Sequence, residues 1–344
     1  MAGCAAAWHL ADADIPVDLF EAKPGAHHKV CGEFLSAEGY ELLRAILGSD
    51  LDAVQAPKMT KALFSVGRQS LAFDLPQTCY GLTRYWIDEA MLGAVAAKGV
   101  TLHRDQYLNT LPSGRVVLAT GKREHPQTKR FLSGGERVMV GLKQHLGLRS
   151  KLPSDLQGLI HLFFYPGGYG GLMEVEGGRV SLALAVTKQS LTELGTTASA
   201  HMHQAAKSDP SLQAWFDVCD LDTETLAIGR VPYGFQHKPN PNDNSAVYRI
   251  GDQAAVIPSY SGDGMSIALA SGLWVAEALK AGESALGFHK RLAAKTNRNV
   301  RFAHMIGPIV ARPSLAAPLL ASARIMGLSG VLGSFFFHRT RTSL

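Results

Sequence analysis

The sequence predicts an α/β fold: a three-layer ββα domain interleaved with an antiparallel β-sheet domain and followed by a helical C-terminal region. Three observations carry this. A small-residue helix at the start runs into an apolar strand that closes on an acidic residue. A second apolar strand near residue 250 leads through a Gly/Pro-rich loop into a long helix. Between them, residues 140–235 show strand patterns separated by turn glycines. The expected divisions are 1–55, 80–140 and 245–285 for the first domain, 56–79 and 141–244 for the sheet, and 286–344 for the helical region.

In chain order, Met1–Leu10 is small, apolar and helix-forming, and Ile15–Phe20 reads as a strand closed by Glu21. A dinucleotide-binding unit runs strand, G-x-G-x-x-G, helix, strand, then an acidic ribose ligand about 20 positions on. Glu21 lies 18 positions after Gly3, as expected if Gly3 is the third glycine. The first strand and the first two glycines do not precede it. The expectation is therefore a truncated or mis-started chain, short by roughly ten residues.

Lys29-Val-Cys-Gly-Glu-Phe-Leu-Ser36 follows. Gly32 permits close backbone approach, Lys29 can stabilise negative charge, and Cys31 carries a thiol able to serve as a proton donor. A loop with a buried, inert cysteine fits the same residues. Leu82–Asp88 leads into a helix over Glu89–Lys98, stopped at Gly99, and Val100–His103 reads as a strand. Arg115–Gly121 is an apolar strand ending Ala-Thr-Gly.

Strands are expected at Gly141–Leu146, Leu159–Tyr165, Leu172–Glu176 and Arg179–Val186, with a sharp turn at Pro166–Gly171 and a helical insertion over Ser190–Asp217. His201-Met-His203 lacks a third ligand nearby and reads as helix surface, so no metal is expected. Val247–Ile250 is a strand. Gly251 and Asp252 form an acidic turn, Pro258, Gly262 and Asp263 a loop, and Gly264-Met265 open a helix. Asp252 can accept hydrogen bonds from sugar hydroxyls, and the helix start adds positive partial charge. A plain turn before a core helix is the simpler alternative.

Taken together, residues 29–36, 82–88 and 249–265 resemble the motifs of FAD-dependent oxidoreductases built like geranylgeranyl reductases and aromatic hydroxylases. The resemblance implies an FAD-binding Rossmann-like domain and a substrate domain whose sheet walls the cavity. It implies that Gly3, Glu21, Lys29, Gly32, Arg84, Gly251, Asp252, Pro258, Gly262, Asp263, Gly264 and Met265 bind the cofactor. Asp88 would hold the Arg84 region in place, Cys31 would be catalytic, and Tyr165, Gly168 and Tyr169 would edge the substrate cavity. The first expected reaction is hydride transfer from reduced flavin to a C=C bond of an isoprenoid or lipid-like molecule. The alternative is monooxygenation of a secondary metabolite, and a second alternative is a fragment that binds no FAD. The Asp-Gly pair of the hydroxylases is missing near Lys122, and no Trp-x-Trp-x-Ile-Pro segment of flavin halogenases occurs. NAD(P)H and ferredoxin are the candidate electron donors.

Composition bounds the rest. The chain has 344 residues, 46% hydrophobic and 18% charged, enough for two layered cores. Its net charge is +5, and no basic run interleaved with aromatics suggests nucleic-acid binding. Cys4, Cys31, Cys79 and Cys219 share no CxxC spacing, which argues against zinc or a disulfide framework and suits a reducing cytoplasm. Residues 302–337 are apolar but interrupted by Arg and Pro, below the ~18 uninterrupted apolar residues of a membrane span. Aromatics beside basic residues at 335–341 suit either packing over a core or peripheral membrane contact. The sequence carries no signal for oligomeric state.

Overall fold

The computed structural model describes all residues except 133, 135–136, 194–208, 222–223, 242, 311 and 343–344. In chain order the elements are α1 (Ala2–Ala11), β1 (Asp18–Glu21), β2 (Phe34–Leu35), α2 (Ala37–Leu47), α3 (Ser49–Ala53), β3 (Lys58–Val66), β4 (Gln69–Gly81), α4 (Arg84–Ala97), β5 (Thr101–Arg104) and β6 (Val116–Leu118). There follow β7 (Arg137–Leu148), β8 (Leu159–Tyr165), β9 (Gly168–Val175), β10 (Arg179–Thr187), α5 (Lys188–Glu193), α6 (Gln213–Phe216), β11 (Cys219–Leu221), β12 (Leu226–Tyr233) and β13 (Val247–Arg249). Four helices close the chain: α7 (Gly264–Lys280), α8 (Ala285–Val310), α9 (Pro313–Ile325) and α10 (Ser329–Thr340). The α/β class expected from the sequence holds. The His201–His203 segment lies outside the described residues.

The first unit contains two separate parallel pairs. β1 pairs with β5 through Asp18↔Thr101 to Glu21↔Arg104, and β13 pairs with β6 through Val247↔Val116 to Arg249↔Leu118. Helix α1 packs against α7 at very short range. A Cβ on Gly272 would sit 2.6 Å from the Ala5 Cβ and 2.8 Å from the Ala2 carbonyl oxygen, so the alanine-rich sequence of α1 and the bare Gly272 are needed together.

The second unit is a nine-stranded sheet in the order β11-β7-β10-β9-β8-β3-β4-β2, with β12 also on β7. It is antiparallel except where β3 runs parallel to β8, with Lys61 opposite Leu159. β2 comes from the loop that carries Cys31, so the expected 1–55 division already feeds this sheet. Every residue of β8 is buried, because both its faces are covered. On the far face, Phe163, Trp215 and Leu172 belong to one core. There Trp215 Nε1 donates to His161 Nδ1 at 3.2 Å, and His161 Nε2 lies 2.8 Å from the Ser65 hydroxyl. The first bond fixes the proton on Nε2. Burial lowers the pKa of His161 to about 4.

Candidate active-site cleft

Two segments far apart in sequence meet at the cleft. Ser36 caps α2 by accepting the Gly39 N–H, and its hydroxyl lies 2.8 Å from that of Ser266 in α7. Gly262 has φ +71°, and a Cβ there would fall 2.5 Å from the Phe34 ring, so only glycine lets the α7 turn nest on the Cys31 loop. Both segments line one cavity of about 1160 Å³ together with the start of α1, β1 and β6. Single small-molecule pockets run ~300–1,000 Å³, so there is room for a cofactor and a substrate side by side.

The electrostatics of the cavity favour an anionic occupant. Neither α1 nor α7 has a side-chain cap at its N-terminus, so both present unpaired backbone N–H groups and positive partial charge. Gly3, Glu21, Lys29, Cys31, Gly32, Gly251, Asp252, Gly262, Gly264 and Met265 all line this cavity, Lys29 beside the start of α1 through Asp88. At Gly32 a Cβ would meet nothing within 4 Å, which leaves open space along that loop for a flat ring.

Arg84 and Lys29 also reach this cavity, but both are committed to Asp88. Thr83 caps α4 by accepting the Trp86 N–H, so the helix starts before the expected Glu89 and places Arg84 one turn from Asp88. Arg84 Nη2 lies 2.8 Å from both Asp88 oxygens, Lys29 Nζ 2.8 Å from Oδ2, and the Met1 amino group 3.3 Å from Oδ1. Burial alone would raise the Asp88 pKa. The Arg84 charge, then the amino terminus and Lys29, reverse that and hold its carboxyl well below the usual carboxylate range. Asp88 thus fixes the cations that face the cleft.

Several expected site residues lie elsewhere. Tyr165 is corrected: on β8, Ile160 and Leu162 face the cavity, and period-two alternation turns Tyr165 into the far core beside Phe163. Gly168 is corrected too, since it is the first residue of β9 and a Cβ there would meet the Tyr165 hydroxyl at 2.8 Å and the Ala185 carbonyl oxygen at 2.6 Å. Tyr169 does line the cavity, and its hydroxyl lies 2.7 Å from that of Ser259 in the α7 turn. Pro258 shapes that turn without lining the cavity, its carbonyl accepting the Ser261 hydroxyl at 2.8 Å. The Asp263 carboxylate points to the C-terminal tail, where it accepts from the Thr342 hydroxyl, and burial raises its pKa to about 7.

Sequence reasoning missed a buried ionic cluster directly behind the cleft. Glu33 has φ +61°, an unfavourable left-handed conformation for a side chain of its size. Its carboxylate accepts from the Arg84 backbone N–H at 3.0 Å, from Lys143 Nζ, and from His145 Nε2 at 2.8 Å. Burial would raise the Glu33 pKa, but the His145 hydrogen bond and the Lys143 charge outweigh it and lower it. The available signal was the alternation of Gly141, Lys143 and His145 on β7, which puts two ionisable groups on one strand face.

Among the described residues, two sets of three metal-ligand-type side chains come within 4.8 Å: His28–Glu33–His145 and His237–Asp243–His289. The Lys143 ammonium already neutralises Glu33 in the first. In the second, His289 Nε2 accepts the Arg249 N–H at 2.9 Å, so its proton sits on Nδ1, the nitrogen that would have to bind metal.

No protein-family model matches the chain, and no curated protein matches it. Solved structures do. The flavin-dependent brominase Bmp2 superposes with TM-score 0.77 at 14% identity, over 98% of this chain and 92% of that one. The myxobacterial chondrochloren halogenase CndH gives 0.74 at 16%, over 100% and 92%. PqsL, a probable FAD-dependent monooxygenase from Pseudomonas aeruginosa, gives 0.70 at 13%, over 92% and 95%. The chain has the fold of FAD-dependent halogenases and monooxygenases.

Proposed function

We propose that the chain is an FAD-dependent oxidoreductase acting on an apolar small molecule. One observation carries the reading: the Lys29–Phe34 loop and the uncapped start of α7 share one cavity with the uncapped start of α1. The α1 end, with Gly3, Glu21 and Asp252, suits the sugar and diphosphate portion of FAD. The α7 end, with Gly262 and Gly264, suits the flavin ring. When bound, FAD supplies two-electron redox chemistry. Phe64, Ile160, Leu162, Met173 and Tyr233 give the remaining space an apolar wall for substrate.

The finer reading is reduction of a C=C bond. Cys31 is half-buried at the cavity, and its sulfur accepts the Glu33 N–H at 3.4 Å, which orients the thiol. Its S–H would give the proton that accompanies hydride, and water would restore it. NAD(P)H or ferredoxin would be the electron source. Monooxygenation is the second reading, and the likeness to PqsL supports it. The test is product analysis of the FAD-loaded protein with reductant and an isoprenoid or aromatic substrate, with and without oxygen. A saturated product formed without oxygen is expected, with Cys31→Ser slower by about 10²–10⁴-fold. A hydroxylated product with stoichiometric oxygen uptake selects monooxygenation. FAD titration with no change in flavin fluorescence overturns both.

A further inference from the structure

From residue 284 to the end, the chain carries nine Lys or Arg and no Asp or Glu. The same region holds ten of the fifteen exposed large apolar side chains among the described residues, all between Met305 and Phe335. Apolar exposure and one-sided charge therefore coincide.

The arrangement is ordered. Helices α9 and α10 both pack on the face of β3 and β4, burying Ala316 and Ala323 from one and Gly333 and Phe337 from the other. A Cβ on Gly333 would fall 2.2 Å from the Phe73 ring, which shows how closely α10 lies on the sheet. Packing both helices on one sheet face turns their other faces the same way. On α9 that face carries Leu315 and Leu319, with Arg312 at its start. On α10 it carries Val331, Leu332 and Phe335, with Arg339 at its end. The Arg339 guanidinium lies 5.4 Å from the Phe335 ring centre. The connection between the helices adds Ile325, 83% exposed, with Met326 and Leu328. These positions follow i, i+3, i+4 spacing, so each helix shows one apolar stripe with cationic ends. No single helix among the described residues is long and apolar enough to cross a membrane.

We infer that this face docks onto an anionic lipid surface. The apolar stripes would enter the headgroup–acyl boundary, while Arg312, Arg324 and Arg339 would meet lipid phosphates, their stems lying along the apolar layer. A second copy of the chain is a poorer occupant, because it would bring the same cations into contact with themselves. The inference rests on the C-terminal helices and does not depend on the reaction in the cleft.

The test is flotation of the full chain with vesicles of phosphatidylcholine alone or with phosphatidylglycerol added. Binding is expected on the anionic vesicles only, weakening with salt. Arg312→Glu/Arg324→Glu/Arg339→Glu should weaken it at least about a hundred-fold, at roughly five-fold per lost charge. Ile325→Asp/Val331→Asp/Phe335→Asp should abolish it. Because all six positions are exposed, the melting temperature should hold. Hydrogen exchange of the unaltered protein is the second readout, with anionic vesicles slowing residues 312–339. Absent flotation, equal binding to neutral vesicles, or a dimer that the aspartate variant disrupts without any vesicle binding would each overturn the inference.

Discussion

The nine-stranded sheet and the β1 edge of the parallel pairs are built to opposite standards. All seven residues of β8 are buried, whereas β1 alternates between exposed and half-buried residues. Phe163 on β8 has no exposed surface, while Phe20 on β1 is 37% exposed and rests against the His103 ring at 4.5 Å. The nine-stranded sheet is sealed on its far face by its own core. The parallel half is two short pairs set along a large cavity. β13 is buried as fully as β8, so the contrast lies at β1, whose edge along the cleft has surface that an occupant could still cover.

The largest expected break in this contrast is mutational. Phe163→Ala should cost about 3–5 kcal/mol, as a fully enclosed aromatic leaves a cavity. Phe20→Ala should cost less than about 1 kcal/mol. Urea denaturation of the two variants compares them directly, and equal losses would erase the distinction.

Acid should act next, through His161. Its folded pKa, about 4, is below the ordinary histidine value of 6.5. A lowered histidine contributes stability that is full above the unfolded value and lost as pH falls through the folded one. Up to about 3 kcal/mol should therefore disappear between pH 6.5 and 4. His161→Gln should flatten that slope in urea midpoints measured across the window, leaving the share of His289, whose pKa burial lowers to about 3. A slope unchanged in the variant would assign the acid sensitivity elsewhere.

Ligand should act on the other region. FAD at about 100 times its dissociation constant should add roughly 2.7 kcal/mol. Hydrogen exchange should slow over 18–21 and 116–118 while 159–165 stays unchanged. Slowing confined to 159–165 would place the ligand against the wrong sheet.

What could be read from the sequence follows the same divide. The Lys29–Gly32 loop, the Gly251-Asp252 turn and the helix at Gly264 were legible because glycines and an acidic turn mark them locally. β8 was legible from an apolar run broken only by His161. The side on which Tyr165 points was not, since a strand with apolar residues on both faces carries almost no alternation to read. The parallel pairing of β3 with β8 joins segments about a hundred residues apart, and the strand pattern of each is the same for either direction. Glu33, Lys143 and His145 also meet only through that long-range topology.

The backbone of Glu33 restricts how this protein can change. Glycine at position 33 would relieve a strained φ worth about 1–2 kcal/mol. It would also strand the Lys143 ammonium, which is enclosed behind the cleft, at a cost nearer 3–5 kcal/mol. A better backbone is thus costly in one step: Lys143 must be replaced first, and that replacement leaves Glu33 with only His145 and the Arg84 N–H to hold its charge. The order of substitutions, more than the fitness of any single one, keeps this loop as it is.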